Sequence, residues 1–261
     1  MWRPFKRKIK FSRYGWRPDL PDHRDHLFST VFIRASAPLP QIVDLRSECP
    51  AVVDQMALGS CTANAITAAV EFLDIKDKIP ELALSRLFLY YNERAAEGTI
   101  NYDSGASLRD GIKVLADQGV CQESLWPYDI NKFTSKPSDE CYQAAQAHKA
   151  IVYQRLTTLN DMRACLAAGF PLVFGITVYE SFESDQVAKS GIVPMPSKSE
   201  RSLGGHALLA VGYNDQFSTI LVRNSWGPNW GINGYFTLPY QYISNNNLAD
   251  DFWTIRKTVS E

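Results

Sequence analysis

Helical spacing and strand-length apolar runs occupy different stretches of this 261-residue chain, and that segregation constrains its fold more than any other feature. Helical patterns cover residues about 61–75, 84–96 and 107–118, with shorter stretches near 138–147 and 160–168. The third opens on Ser107 as N-cap, carries Asp110 in its first turn and stops at Gly119. Beyond them, Leu172 to Tyr179 reads as a buried strand. Further strands are expected near 206–213, 218–223, 234–238 and around Phe252 to Ile255. Helices first and strands later predict an α+β architecture. The division expected is a leader over 1–38, a mainly helical lobe over 39–150 and a β lobe over 151–261.

Cys61 lies where the first helical pattern begins. Gly59 and Ser60 mark the entry, and Ile66, Ala69, Val70 and Leu73 share one face. A cysteine is most often a small buried hydrophobe. At a helix N-terminus, however, the dipole and the unsatisfied backbone N–H groups favour thiolate over thiol.

Two later segments supply what a thiolate nucleophile needs. His206 follows Gly204 and Gly205 and opens an apolar run of strand length. A histidine there is usually a core residue, but the paired glycines argue for close approach by another group. Asn224 follows the apolar stretch Thr219 to Val222 and starts the aromatic loop Asn224-Ser225-Trp226-Gly227. Asn in such a loop is commonly a turn former, and Trp226 and Trp230 fit a plain core role.

Together, Gln55, Cys61, His206 and Asn224, in that order and context, resemble the papain-like cysteine peptidases. Smaller echoes are Val43-Asp44-Leu45-Arg46, Gly105 before Ser107, and Trp126-Pro127-Tyr128. The likeness runs over residues about 40 to 258 and is nearest the compact bacterial, archaeal and viral members. It implies two lobes, one helical and one an antiparallel, β-barrel-like sheet, with the active site between them. It further implies peptide or protein substrates, no cofactor and no metal. Cys61 would be the nucleophile, His206 the base and Asn224 the residue orienting the imidazole. Gln55 with the Cys61 N–H would form the oxyanion hole, and Gly105, Gly205 and Trp226 would bind substrate, Gly105 by pairing its backbone with extended chain and Gly205 by lining the pocket for the side chain two before the scissile bond. A thiolate–imidazolium pair is expected at neutral pH.

The chain departs from the family pattern at two places beside the nucleophile. Thr62 stands where the family commonly has Trp. Leu58 stands where a cysteine usually anchors a disulfide. No long insertion with Cys and His suggests an occluding loop, so endopeptidase action is the default. The same triad could instead transfer an acyl group or deamidate a protein partner. A catalytically idle binding protein is the third reading.

A net charge of −1 gives no reason to expect a nucleic-acid partner. No window is long and apolar enough for a membrane span, and a monomer is expected. With Cys61 free, Cys49, Cys121, Cys141 and Cys165 are expected mostly reduced. Arg3, Lys6, Arg7, Lys8, Lys10, Arg13 and Arg17 make the first residues basic without the apolar stretch of a secretory signal. The chain is therefore expected in the cytoplasm, or exported by another route. Trp16, Leu20 and Phe28 give the leader apolar anchors but no core of its own, so it is expected either to cover the β lobe and part of the cleft or to pack only on the back of the β lobe. His23 and His26 lack cysteine partners and read as surface residues. An acidic floor near Asn247 to Asp250 would favour basic side chains in the specificity pocket; an apolar floor would favour Leu or Phe.

Overall fold

The computed structural model describes residues 13–28, 38–80 and 83–259. The leader residues Arg3 to Lys10 lie outside this set. Helix α1 (Cys61–Lys76) runs through the centre of the molecule. Its sequence suggests one apolar face, yet Cys61 to Val70 are all buried. The cause is that α1 packs against α2 (Arg86–Ala96) and α3 (Leu108–Asp117) on one side and against the sheet on the other. Its small alanines permit close approach on every side. Thr67 and Asn64 satisfy their polar groups on backbone carbonyls one turn back, Ala63 at 2.8 Å and Ser60 at 2.9 Å.

Local signals set the helix starts. The Ser85 hydroxyl accepts from the Phe88 N–H at 3.1 Å, and Ser107 accepts from the Asp110 N–H at 3.2 Å. After α3 the chain turns at Gly119, where φ is +77° and a Cβ would lie 1.9 Å from the Ala145 carbonyl oxygen. Helices α4 (Asp139–Ala145) and α5 (Leu159–Ala167) follow, the latter opened by a capping box between Thr158 and Asp161. Short helices α6 (Asp185–Ser190) and α7 (Tyr240–Ile243) have no counterpart in the sequence reading.

Among the described residues, seven strands form one antiparallel sheet. They are β1 (Ile42–Asp44), β2 (Lys149–Leu156), β3 (Leu172–Tyr179), β4 (Ser202–Asn214), β5 (Thr219–Arg223), β6 (Tyr235–Pro239) and β7 (Ala249–Val259). Their order is β2-β7-β3-β4-β5-β6, with β1 added to the far end of β4. Strand β2 was not legible in the sequence because it is an edge strand, whose one strand partner among the described residues is β7, and mixes Lys149, Gln154 and Arg155 among its apolar residues. Strand β4 begins at Ser202, four residues before the expected His206, so Gly204 and Gly205 are strand residues opposite Val178 and Thr177. Strand β1 belongs to the sheet although it precedes α1 in the chain.

Strand β7 is longer than the expected stretch and contains a bulge facing β3. Val173 pairs with Trp253, but Gly175 pairs with Asp250, so three steps on β7 match two on β3. At the bulge Asp251 adopts φ of +57° and is fully buried. All five cysteines are free thiols. Among the described residues, no helix is long and apolar enough to cross a membrane.

Candidate active site

Two loops and two secondary-structure ends meet above the junction of α1 and β4. The Gln55 loop is zipped to the Asn224 loop: the Gln55 N–H donates to the Ser225 carbonyl at 2.8 Å, and the Gly227 N–H donates to the Val53 carbonyl at 3.1 Å. The Ser225 hydroxyl donates to Gln55 Oε1 at 2.6 Å, which fixes the amide so that its NH₂ points away from that loop. Gln55 Nε2 then donates to the Leu58 carbonyl at 2.9 Å and to the Arg13 carbonyl at 3.0 Å.

Cys61 is the first residue of α1 and is fully buried. Nε2 of His206, on β4, bonds Asn224 Oδ1 at 2.8 Å, while Nδ1 has no hydrogen-bond partner among the described residues. The Trp226 ring stacks on the imidazole at 4.8 Å between centroids and 21° between planes. The structure therefore gathers Gln55, Cys61, His206, Asn224 and Trp226 in one place.

Burial pushes the Cys61 thiol up to about 11, against the pull of the Ala207, Gly15 and Thr62 backbone N–H groups near its sulfur. Burial likewise takes His206 down to about 4, with Asn224 opposing the shift and the Arg13 charge adding to it. Both groups are thus held neutral with the leader in place, rather than as the thiolate–imidazolium pair expected from sequence.

The loop preceding Cys61 is held without a disulfide. The Gly59 N–H donates to both Asp103 carboxylate oxygens at 3.1 Å, and the Tyr90 hydroxyl bonds the same carboxylate. The Tyr128 hydroxyl donates to the Gln55 carbonyl at 2.9 Å and bonds the Ser60 hydroxyl at 2.6 Å. Thr62 donates at 2.7 Å to Glu93, a fully buried carboxyl whose pKa burial raises well above its usual value. None of these supports announces itself in the sequence, because each joins residues from different elements.

The described part of the leader lies in the cleft. The Gly15 carbonyl accepts from the Ala106 N–H at 2.7 Å, and the Arg17 N–H donates to the Ala106 carbonyl at 3.1 Å. Trp16 thereby pairs in parallel with Ala106, and its own N–H donates to the Gly205 carbonyl at 3.1 Å. The leader makes these bonds with Ala106, the residue after Gly105. Gly105, at φ of +67°, instead lets the leader pass, since a Cβ on it would sit 1.9 Å from the Gly15 carbonyl oxygen. The Arg13 guanidinium lies 4.4 Å above the Trp226 ring.

Farther along, the leader is tied down by buried ion pairs. Asp25 meets Arg109 at 2.7 Å and Arg155 at 3.2 Å, and Arg155 also reaches Asp250 and Asp251 at 3.2 and 3.0 Å. Asp19 accepts from the Arg109 N–H and the Trp253 indole, both at 3.2 Å. Of the three apolar anchors expected, Trp16 and Phe28 are buried, but Leu20 is 81% exposed. Its carbonyl, not its side chain, makes the contact, accepting from Arg109 at 2.6 Å. His23 and His26 are exposed, and no cluster fit to hold a metal occurs among the described residues.

A thiol at a helix start, beside an imidazole oriented by an amide, defines a cysteine-dependent acyl-transfer site. The profile of the papain family cysteine proteases matches residues 39–253, and the chain belongs to that family. The solved structure of xylellain, a cysteine protease from Xylella fastidiosa, is 46% identical, covers 97% of this chain and 98% of its own, and superposes with a TM-score of 0.86. A peptidase C1-like protein of Acanthamoeba polyphaga mimivirus is 43% identical over 94% of this chain and 87% of its own length. Chymopapain of Carica papaya is 28% identical over 77% of this chain, which spans 55% of chymopapain's length. The protein is a cysteine peptidase of the papain fold.

Thiolate is the form that reacts with alkylating agents, and its fraction rises with pH toward the pKa. Alkylation of Cys61 by iodoacetamide in the intact chain is expected to be slow near pH ~7 and still climbing beyond pH ~9, since burial holds the thiol at about 11. A rate that levels off below pH ~8 would contradict the covered, neutral thiol.

Proposed function

We propose that Cys61 attacks the peptide carbonyl as thiolate, with His206 as its base and Asn224 fixing the imidazole. The oxyanion is received by Gln55 Nε2–H and the Cys61 backbone N–H. His206 then protonates the leaving amine, and later takes a proton from the water that hydrolyses the acyl-enzyme. The observation carrying this reading is the Gln55 amide, turned by Ser225 so that its NH₂ already holds a carbonyl oxygen, that of Arg13. A substrate carbonyl would exchange for that oxygen. Trp226 shields the His206–Asn224 bond from water on one face.

The N-terminal segment is, on the same reading, a cover that keeps the peptidase silent. Its Arg13 carbonyl fills the place of the oxyanion, and neither Cys61 nor His206 is exposed. The direction of the chain explains why it is not a substrate. A substrate places the pocket residue before the carbonyl under attack, whereas here Trp16 follows Arg13. The peptide thus runs backwards through the cleft and presents no scissile bond in register.

Labelling with an epoxysuccinyl inhibitor, read by intact mass, tests the nucleophile. An adduct is expected on a chain with its leader displaced and none on Cys61→Ala. Lack of any Cys61-dependent adduct would sink the peptidase mechanism.

Gly15→Val tests the cover, because a Cβ at Gly15 would fall 1.8 Å from the Gly59 carbonyl oxygen. That clash displaces the leader without touching the groups assigned to catalysis. Peptide turnover by the full chain is expected to rise by about tenfold or more, which corresponds to roughly 1.4 kcal/mol of lost docking. Unchanged turnover in a folded variant would refute the cover.

Docking also depends on pH. Asp251 is raised from 3.8 to about 7, by burial and then by the Asp19 charge, and Asp19 is itself raised by burial. Arg109, Arg155, Asp25 and Asp250 face the pair from α3, β2, the leader and β7. A carboxyl whose docked pKa lies above its free value takes up a proton on docking. Docking therefore strengthens as pH falls through about 7 and weakens as charge builds above it. Hydrogen exchange at Gly15 to Arg17, corrected for intrinsic rates, should show higher protection near pH ~5.5 than near pH ~8, and the reverse order would overturn the sign.

A further inference from the structure

The side chain of Trp16 occupies a pocket that the peptidase surface has shaped for an indole. Two glycines open it. A Cβ on Gly175 would lie 1.9 Å from Trp16 Cε2, and one on Gly205 would lie 2.8 Å from Cε3. Any larger residue at Gly175 would therefore stand inside the ring plane. The floor is Asp251, whose Oδ2 accepts from the Trp16 indole N–H at 3.1 Å. The β7 bulge opposite Gly175 turns this carboxylate inward, and the residue holds a left-handed φ of +57° to do so. Trp16 is only 6% exposed in this setting.

We infer that this pocket selects tryptophan at the substrate position two residues before the scissile bond. The inference rests on the peptidase reading above and gives that site a substrate class.

Charge decides between an aromatic donor and a cation. An acidic floor alone would favour Arg or Lys. Asp251 Oδ1, however, already bonds Arg155 at 3.0 Å. When the leader leaves, Asp19 and Asp25 leave with it. Arg109 and Arg155 are then matched by Asp250 and Asp251, two charges against two, and no net negative charge is left to attract a cation. What Asp251 Oδ2 does lose is a pair of neutral donors, the Trp16 indole and the Asp19 backbone N–H at 2.8 Å. A flat apolar side chain with one N–H at its far edge fills the space and restores one of those two donors. Phe fills the volume but leaves the buried oxygen without that donor, and Leu leaves both shape and donor unmet.

Two measurements read the pocket independently. The first keeps the full chain and replaces Trp16 by Phe, Leu or Arg, following Cys61 alkylation as a gauge of leader docking. Alkylation is expected to speed up about tenfold for Trp16→Phe, which deletes the N–H alone, and further for Leu and Arg. The second uses the full-length Gly15→Val chain with blocked fluorogenic dipeptides that differ only in the pocket residue. There kcat/KM is expected to favour Trp over Phe by about tenfold or more, with Leu and Arg below Phe. In Gly15→Val combined with Gly175→Val the preference should pass to small apolar residues, a gain of activity that misfolding could not produce. Peptides cleaved in a Cys61-dependent manner with Arg or Leu equal to Trp would overturn the pocket assignment and leave the peptidase standing. Absence of both cleavage and Cys61 adduct would overturn both. Should Cys61 alkylation prove indifferent to residue 16, with Trp peptides also not preferred, the pocket reading is refuted.

Discussion

The site depends on the packing of the first turn of α1 across β4. That contact sets the Cys61 sulfur beside the Ala207 N–H, next to His206, although 145 residues separate Cys61 from the histidine. Strand β4 is central: His206 pairs with Ile176 of β3, and the ladder to β5 takes up three residues later at Leu209, so the histidine sits in a fixed stretch of sheet. Helix α1 is buried around its whole circumference, which removes the freedom to rotate the thiol away. The two reacting groups are fixed by the core, and the loops around them only refine the geometry.

The oxyanion side depends on a second constraint, the pairing of the Gln55 loop with the Asn224 loop. One short antiparallel contact, Asp54 opposite Trp226, links them. The same loop thus orients the imidazole through Asn224, roofs it with Trp226 and turns the Gln55 amide through Ser225. In place of a disulfide, Asp103, Tyr90 and Tyr128 hold the segment before Cys61. Hydrogen bonds do this in a chain whose five cysteines are all free.

The leader is bound by the surfaces proposed to take substrate and by a buried ionic cluster. Its backbone bonds to Ala106 and Gly205 need no particular side chain. Specific anchorage comes from Asp19 and Asp25 against Arg109 and Arg155, buried charges that are favourable only while paired. Removing the leader takes Asp25 from Arg109, while Arg155 keeps Asp250 and Asp251, which couples the leader's presence to the state of the pocket floor.

Much of the proposed catalytic constellation was legible in the chain itself. Gln55, Cys61, His206 and Asn224 stand in short contexts whose local structure follows from nearby residues: glycines before a helix or strand, and a tight loop after an apolar run. The helices α1 and α3 were legible for the same reason, since their periodicity and caps are local. Strand β2 and the β7 bulge were not, because their shape comes from partners distant in sequence. The floor of the pocket is the clearest case. Asp251 lies one residue past the Asn247 to Asp250 stretch expected to supply the floor, and only pairing with β3 decided that an extra residue would be accommodated there and its carboxylate turned inward. The sequence by itself determined the chemistry available, a thiol, an imidazole and two amides. Tertiary structure decided that residue 16 would lie against Gly175, Gly205 and Asp251, because contacts between elements so far apart in the chain are set by burial and charge pairing in the folded state.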